Sequence, residues 1–236
     1  MSYLSCHDGR MNLHLTEIVF VLDRSGSMGS VAGSAVAGFN EFLHDQQALP
    51  GQARFTLVLF DDEYLLAADA VPVAEVAHLD AGTYVPRGST ALLDAIGLTV
   101  DSLGRRLATT PEPERPAKVI VAILTDGHEN ASHRYSSADI AGRIRHQRDK
   151  YGWEFLFLGA NQDAIATAAQ MDIAPANAAT FTADVAGAKA SFKASSRKAA
   201  ALRQMAFQPG DMPPEDLYRP LSEIHAEEDR AERRQK

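Results

Sequence analysis

Short, almost uncharged apolar runs alternate along this chain with longer stretches in which apolar residues recur every three or four positions. The first kind has the period and length of strands buried on both faces, and the second the signature of amphipathic helices. "EIVFVLD" (17–23), "RFTLVLFDD" (54–62), "KVIVAILTDG" (118–127) and "WEFLFLG" (153–159) read as buried strands, and "YLLAADAVPV" (64–73) as a shorter strand at an edge. Between them, Val31, Ala35, Phe39, Phe42 and Leu43 fall on one helical stripe that stops near "LPG" at 49–51. "STALLDAIGLTVDSLGRRL" (89–107) predicts a helix opened by a hydroxyl cap, with Leu92, Leu93, Ile96, Val100 and Leu103 turned inward. "SSADIAGRIRHQRDKYG", "NQDAIATAAQM" and the 185–207 segment predict three further helices, with a short "ATFTA" strand before the last.

This order predicts an α/β fold, a Rossmann-like, doubly wound, mostly parallel sheet with helices on both faces. Such sheets bind their ligands outside the carboxyl ends of the strands, where the strand order reverses. The pattern spans residues 13–207. Residues 1–12 read as a flexible extension, and 208–236 as a linker plus a charged tail, a helix frayed or weakly docked. Leu217, Leu221 and Ile224 form a narrow apolar stripe in that tail. Docking onto the domain and docking into a partner's groove are its two readings.

Composition narrows the function. A net charge of −8 argues against bulk binding to nucleic acid or to an anionic membrane. One cysteine, Cys6, builds neither a disulfide framework nor a thiolate metal site. The first residues lack a basic segment followed by an apolar core, and no apolar run reaches membrane-spanning length, so a cytoplasmic setting is expected. Lys189, Lys193 and Arg197 recur at helical spacing, as a solvated face or a basic binding stripe.

Chemistry gathers after the strands. Asp23, Ser25 and Ser27 alternate behind the first, Thr90 stands at the mouth of the 89–107 helix, and Thr125-Asp126-Gly127 ends the 118–127 strand. If these strands are neighbours, two carboxylates and three hydroxyls converge on one rim. This hard oxygen cage of low charge suits Mg²⁺ or Mn²⁺, and Ca²⁺ less well. A phosphate loop would need a lysine, and residues 19–49 contain none. A nucleophile elbow would need a glycine where Asp23 stands, and a two-aspartate phosphatase a second aspartate where Ser25 stands. A plain strand–turn–helix junction, with Ser27 or Ser30 as cap, accounts for the loop alone but not for Thr90 and Asp126.

The three-part pattern of "LDRSGS", the threonine of "RGSTALLDAI" and the "LTDG" aspartate resembles the von Willebrand factor type A domain and its metal-ion-dependent adhesion site. The resemblance covers about residues 13–207 and implies a Rossmann-like sheet with one antiparallel edge strand, matching 64–73. It implies hydroxyl ligands from Ser25, Ser27 and Thr90, with charge from Asp23 and Asp126 acting directly or through water. It also implies a non-enzymatic module whose metal is met by an Asp or Glu of a partner protein. "YGWEFLFLGANQDA" is similar to a subgroup of stand-alone bacterial members, some phage- or stress-associated.

Arg24, Asp61, Asp62, Arg87, His128, Glu129 and Asp163 are the expected rim, together with Glu63. Its mainly acidic character favours a partner carboxylate with a basic surround. His128, two residues past Asp126, is the one candidate general base. The alternatives are a metal-dependent hydrolase or phosphatase, and a scaffold with a vestigial site.

Overall fold

A computed structural model of the protein describes residues 11–160, 163–207 and 212–234. Six strands form one sheet: β1 (Asn12–Asp23), β2 (Gln52–Phe60), β3 (Tyr64–Pro72), β4 (Pro116–Thr125), β5 (Glu154–Ala160) and β6 (Ala178–Phe181). Their spatial order is β3-β2-β1-β4-β5-β6. All neighbours are parallel except β2 and β3, so the 64–73 run is the antiparallel edge strand. It is nine residues long, no shorter than β2.

Burial on both faces follows from the alternation within β1. Ile18, Phe20 and Leu22 face one core, while Val19 and Val21 face the other. The first core is covered by α1 (Ala32–Ala48), α5 (Val185–Phe207) and α6 (Leu221–Arg234). The second is covered by α2 (Leu92–Thr109), α3 (Ser137–Tyr151) and α4 (Ala164–Gln170). The predicted α1 stripe is the buried one: Val31, Ala35, Phe39, Phe42 and Leu43 are all enclosed.

Phe20 anchors the first core, edge-on to Phe39 and Phe42 and stacked on Phe192 of α5 at 5.6 Å. Gly38 lets α1 approach that ring, for a Cβ there would lie 2.4 Å from Phe192. Gly38→Ala is therefore expected to lower stability by about 1–3 kcal/mol despite alanine's better helix propensity. A urea midpoint that is unchanged or raised would count against this packing.

Two expectations change. The 89–107 helix starts at Leu92 and has no hydroxyl side-chain cap of its own. Its first amides are held instead by a distant loop: Leu93 N–H donates to Glu129 Oε2 and Asp94 N–H to Ser132 Oγ, each at 2.9 Å. The second change concerns the tail. Leu221 and Ile224 are fully buried in the first core, with Leu217 packed beside them, so 221–234 is docked rather than frayed.

The expected basic stripe is the tail's other anchor. Lys193 pairs with Glu232 at 2.7 Å, and Arg197 pairs with Asp216 at 2.8 Å and with Glu227 and Glu228. Both cations are partly buried and balanced by acids of the tail. The extension expected over 1–12 falls outside the described residues up to residue 10, and Asn12 already belongs to β1.

Candidate metal centre

β1 and β4 lie side by side, with β2 reached from β1 on one flank and β5 from β4 on the other. The strand order reverses between them, so their carboxyl ends open the crevice that this topology offers to ligands. Asp23 ends β1 and Thr125 ends β4.

The Asp23 carboxylate is fully buried and held from both sides. Oδ1 accepts the Ser25 N–H at 2.6 Å and Oδ2 accepts the Thr125 hydroxyl at 2.5 Å. The first of these bonds closes a turn that swings Ser25 and Ser27 to the same side, their hydroxyl oxygens 3.0 Å apart. Ser27 Oγ in turn donates to Asp126 Oδ1 at 2.5 Å, across 99 residues of sequence. Thr90 closes the set: a Cβ on Gly127 would sit 2.7 Å from Thr90 Oγ1 and 3.4 Å from Ser27 Oγ. Gly127 thus leaves open the space shared by the two hydroxyls. All five sequence-derived residues converge, with Ser27 exposed and the other four buried beneath it.

Residues outside that set hold it in place. Thr90 and Asn130 clamp each other through Thr90 N–H to Asn130 Oδ1 at 2.9 Å and Asn130 N–H to Thr90 O at 3.1 Å. The Tyr84 hydroxyl donates to the Asp23 carbonyl at 2.5 Å from a loop without hydrophobic periodicity. Sequence reasoning does not single out Thr125, Gly127, Asn130 or Tyr84 as supports. Only Thr125 and Gly127 carry a signal, by adjoining Asp126.

Burial pushes the Asp23 carboxyl up from 3.8 to about 6, opposed by the hydrogen bonds from Thr125 and Ser25. Burial also raises Asp126, against the bond from Ser27. Among the described residues no basic side chain pairs with either. Two desolvated carboxylates without a counter-charge, with hydroxyl oxygens around them, fit a small hard cation. Nitrogen and sulfur donors are not assembled, and no group of three His, Cys, Asp or Glu among the described residues forms a metal cluster.

The rim residues are largely engaged with the protein itself. Buried Asp61 lies between Arg24 at 3.1 Å and Arg87 at 2.9 Å, and Arg87 also pairs with Glu63. Among the described residues, exposed Asp62 accepts only the Ser89 N–H, at 3.3 Å. Glu129 is turned away to α2, accepting in addition the Ala131 and Ser132 amides and the Ser132 hydroxyl. Asp163 caps α4 through the Ala166 N–H at 3.0 Å. His128 is exposed.

A search of curated proteins finds no match for the chain. Among solved structures it is similar to proximal thread matrix protein 1 from the mussel byssus, at 16% identity and TM-score 0.54 over 80% of this chain and 47% of that one. It is similar also to a von Willebrand factor type A protein from Catenulispora acidiphila, at 18% and 0.52 over 81% and 43%. Manganese-loaded TRAP from Plasmodium vivax follows at 15% and 0.52, over 76% and 72%. The chain spans under half the length of the first two, and identities this low establish a shared fold. The sequence itself goes further, since residues 17–197 match the von Willebrand factor type A domain, and the chain belongs to that family.

Proposed function

We propose that this protein is a non-enzymatic, divalent-cation-dependent interaction module with a metal-ion-dependent adhesion site. In this reading Ser25, Ser27 and Thr90 supply hydroxyl oxygens to Mg²⁺ or Mn²⁺, and Asp23 and Asp126 supply the balancing charge. The observation that carries it is the convergence of these five side chains at the switch point, with Ser27 the exposed member. When bound, the cation supplies an exposed Lewis acid able to accept a carboxylate oxygen from an Asp or Glu of a protein partner. Two solved structures of like fold are described with divalent ions, zinc in the mussel protein's MIDAS motif and manganese in the Plasmodium protein.

The residues of this chain perform an orienting task. Thr125 and the Ser25 amide fix Asp23, so it tunes the charge under the site rather than swinging toward a ligand. Asn130 and Gly127 fix Thr90 against Ser27. Among the described residues no general base adjoins the centre apart from exposed His128, and this favours recognition over hydrolysis. Because Arg24 and Arg87 offset Asp61 and Glu63, the acidic rim is weaker than sequence suggests, and Asp62 is its main uncompensated charge. Membership of a stand-alone bacterial subgroup and a cytoplasmic location stay with this proposal. No helix among the described residues is long and apolar enough to cross a membrane.

The raised Asp23 pKa has a sign that can be checked. Between pH 3.8 and about 6 the folded metal-free chain holds a proton that the unfolded chain has released. Its stability therefore falls as pH rises through that window, by an amount on the order of 2–3 kcal/mol from this group. Asp23→Asn is expected to flatten that part of the pH dependence in EDTA, measured by urea unfolding at pH 4.5, 5.5 and 6.5. Parallel curves for the two proteins would contradict the assignment.

Cation binding offsets the same cost, but modestly: a millimolar affinity stabilises by about 0.4–1.4 kcal/mol at millimolar Mg²⁺. Chelation is accordingly expected to leave the circular dichroism spectrum folded. Global unfolding in EDTA would mark the ion as structural.

A further inference from the structure

At the end of the sheet away from the metal rim, a cavity of 530 Å³ opens between α2 and α3, above the first residues of β4 and β5. The two sites share no residue, and the stretch of β4 from Val119 to Thr125 separates them by about 20 Å. The cavity floor is apolar and buried, built by Val100, Leu107, Val119 and Trp153. Trp153 is the sole tryptophan of the chain and is 4% exposed.

The charges in the wall are unbalanced in one direction. Asp101 is spent, since Oδ1 accepts Arg143 Nε at 2.9 Å and Oδ2 accepts the Tyr135 hydroxyl at 3.0 Å. The cations are not. Arg105 is exposed and forms no ion pair among the described residues. Arg115 donates to the carbonyls of Thr110 and Ala108, at 2.8 and 3.2 Å, so its protons are used while its charge is not cancelled. Glu112 and Glu114, close by in sequence, do not line the cavity. Surplus positive charge in a chain of net charge −8 selects an anion. An apolar floor under a few polar groups, at this volume, is the composition of a small-molecule site.

We propose that this cavity binds a small planar organic anion, its flat apolar body against Trp153 and its carboxylate toward Arg105. The site is independent of the metal centre.

The probe is 2-naphthoate, titrated into the full chain by calorimetry while Trp153 fluorescence is followed. The expected result is one saturable site per chain, with a Kd of about 10–100 µM, insensitive to EDTA. The neutral analogue 2-naphthamide is expected to bind about 5- to 10-fold more weakly, and Arg105→Ala to weaken naphthoate by a similar factor without affecting the amide. Ala108→Trp, at an exposed lining position, should fill the cavity and abolish binding. The proposal is overturned if no saturable heat or fluorescence change is found, if acid and amide bind alike, or if either variant leaves naphthoate binding unchanged.

Discussion

A chain carrying Asp126→Ala is expected to lose every Mg²⁺-dependent partner interaction while remaining folded. Asp126 is one of two carboxylates at the centre among the described residues and takes the Ser27 hydroxyl at 2.5 Å. Removing it takes away half of the balancing charge and the acceptor that orients the most exposed ligand. Cation affinity should fall by about 100-fold or more, well below what millimolar Mg²⁺ can overcome. The fold should not suffer in proportion. Asp126 is desolvated without a basic partner, so its deletion also removes a group that resists ionising in the metal-free protein. Captures in Mg²⁺ and in EDTA, compared for wild type and variant, read the difference, and circular dichroism reads the fold. A variant that unfolds, or one that keeps its Mg²⁺-dependent interactions, would contradict this role.

The second large effect lies in the tail. Ile224→Ala is expected to destabilise the domain by about 2–4 kcal/mol, the range for truncating a fully buried aliphatic side chain. Ile224 is wholly enclosed in the core that holds Phe20 and Phe192. The helix that carries it is pinned by Glu232 to Lys193 and by Glu227 and Glu228 to Arg197. Lys198 adds a third anchor, donating to the carbonyls of Asp216, Leu217 and Arg219 at 2.8–3.1 Å. Urea unfolding should show one cooperative transition shifted to lower denaturant. A loss under about 0.5 kcal/mol, typical of a surface site, would mean that the tail is not part of the core.

Strands and helices are legible wherever burial imposes a period. β1, β2, β4 and β5 are enclosed on both faces and so read as uninterrupted apolar runs, and the α1 stripe follows the turn of the helix. The start of α2 is hidden from the sequence because its capping groups, Glu129 and Ser132, lie more than thirty residues away and only the fold brings them near. The docking of the tail is hidden for a related reason: charges spaced along one helix look solvated until the opposite charges on another are placed beside them. The loop before Thr90 has no period at all. It is fixed by Asn40, which exchanges two hydrogen bonds with the Leu79 backbone, and by the Tyr84 hydroxyl on Asp23.

At the site, the five oxygen-bearing residues are legible because hydroxyls and carboxylates standing directly behind buried strands seldom serve packing. Their rim is not, since whether an exposed acid faces a partner or an amide depends on geometry. Asp61 is taken up by two arginines and Glu129 by backbone amides.

Asp23, Ser25, Ser27, Thr90 and Asp126 are proposed to form one cation site. Titration of Mn²⁺ into wild type and Thr90→Ala, followed by the loss of its free electron paramagnetic resonance signal, tests it most directly. The expected result is one Mn²⁺ per wild-type chain, displaced by Mg²⁺, with affinity lowered about tenfold or more in the Thr90→Ala protein. Wild-type protein that binds no Mn²⁺ at millimolar concentration, or a Thr90→Ala protein that binds it equally well, would contradict it.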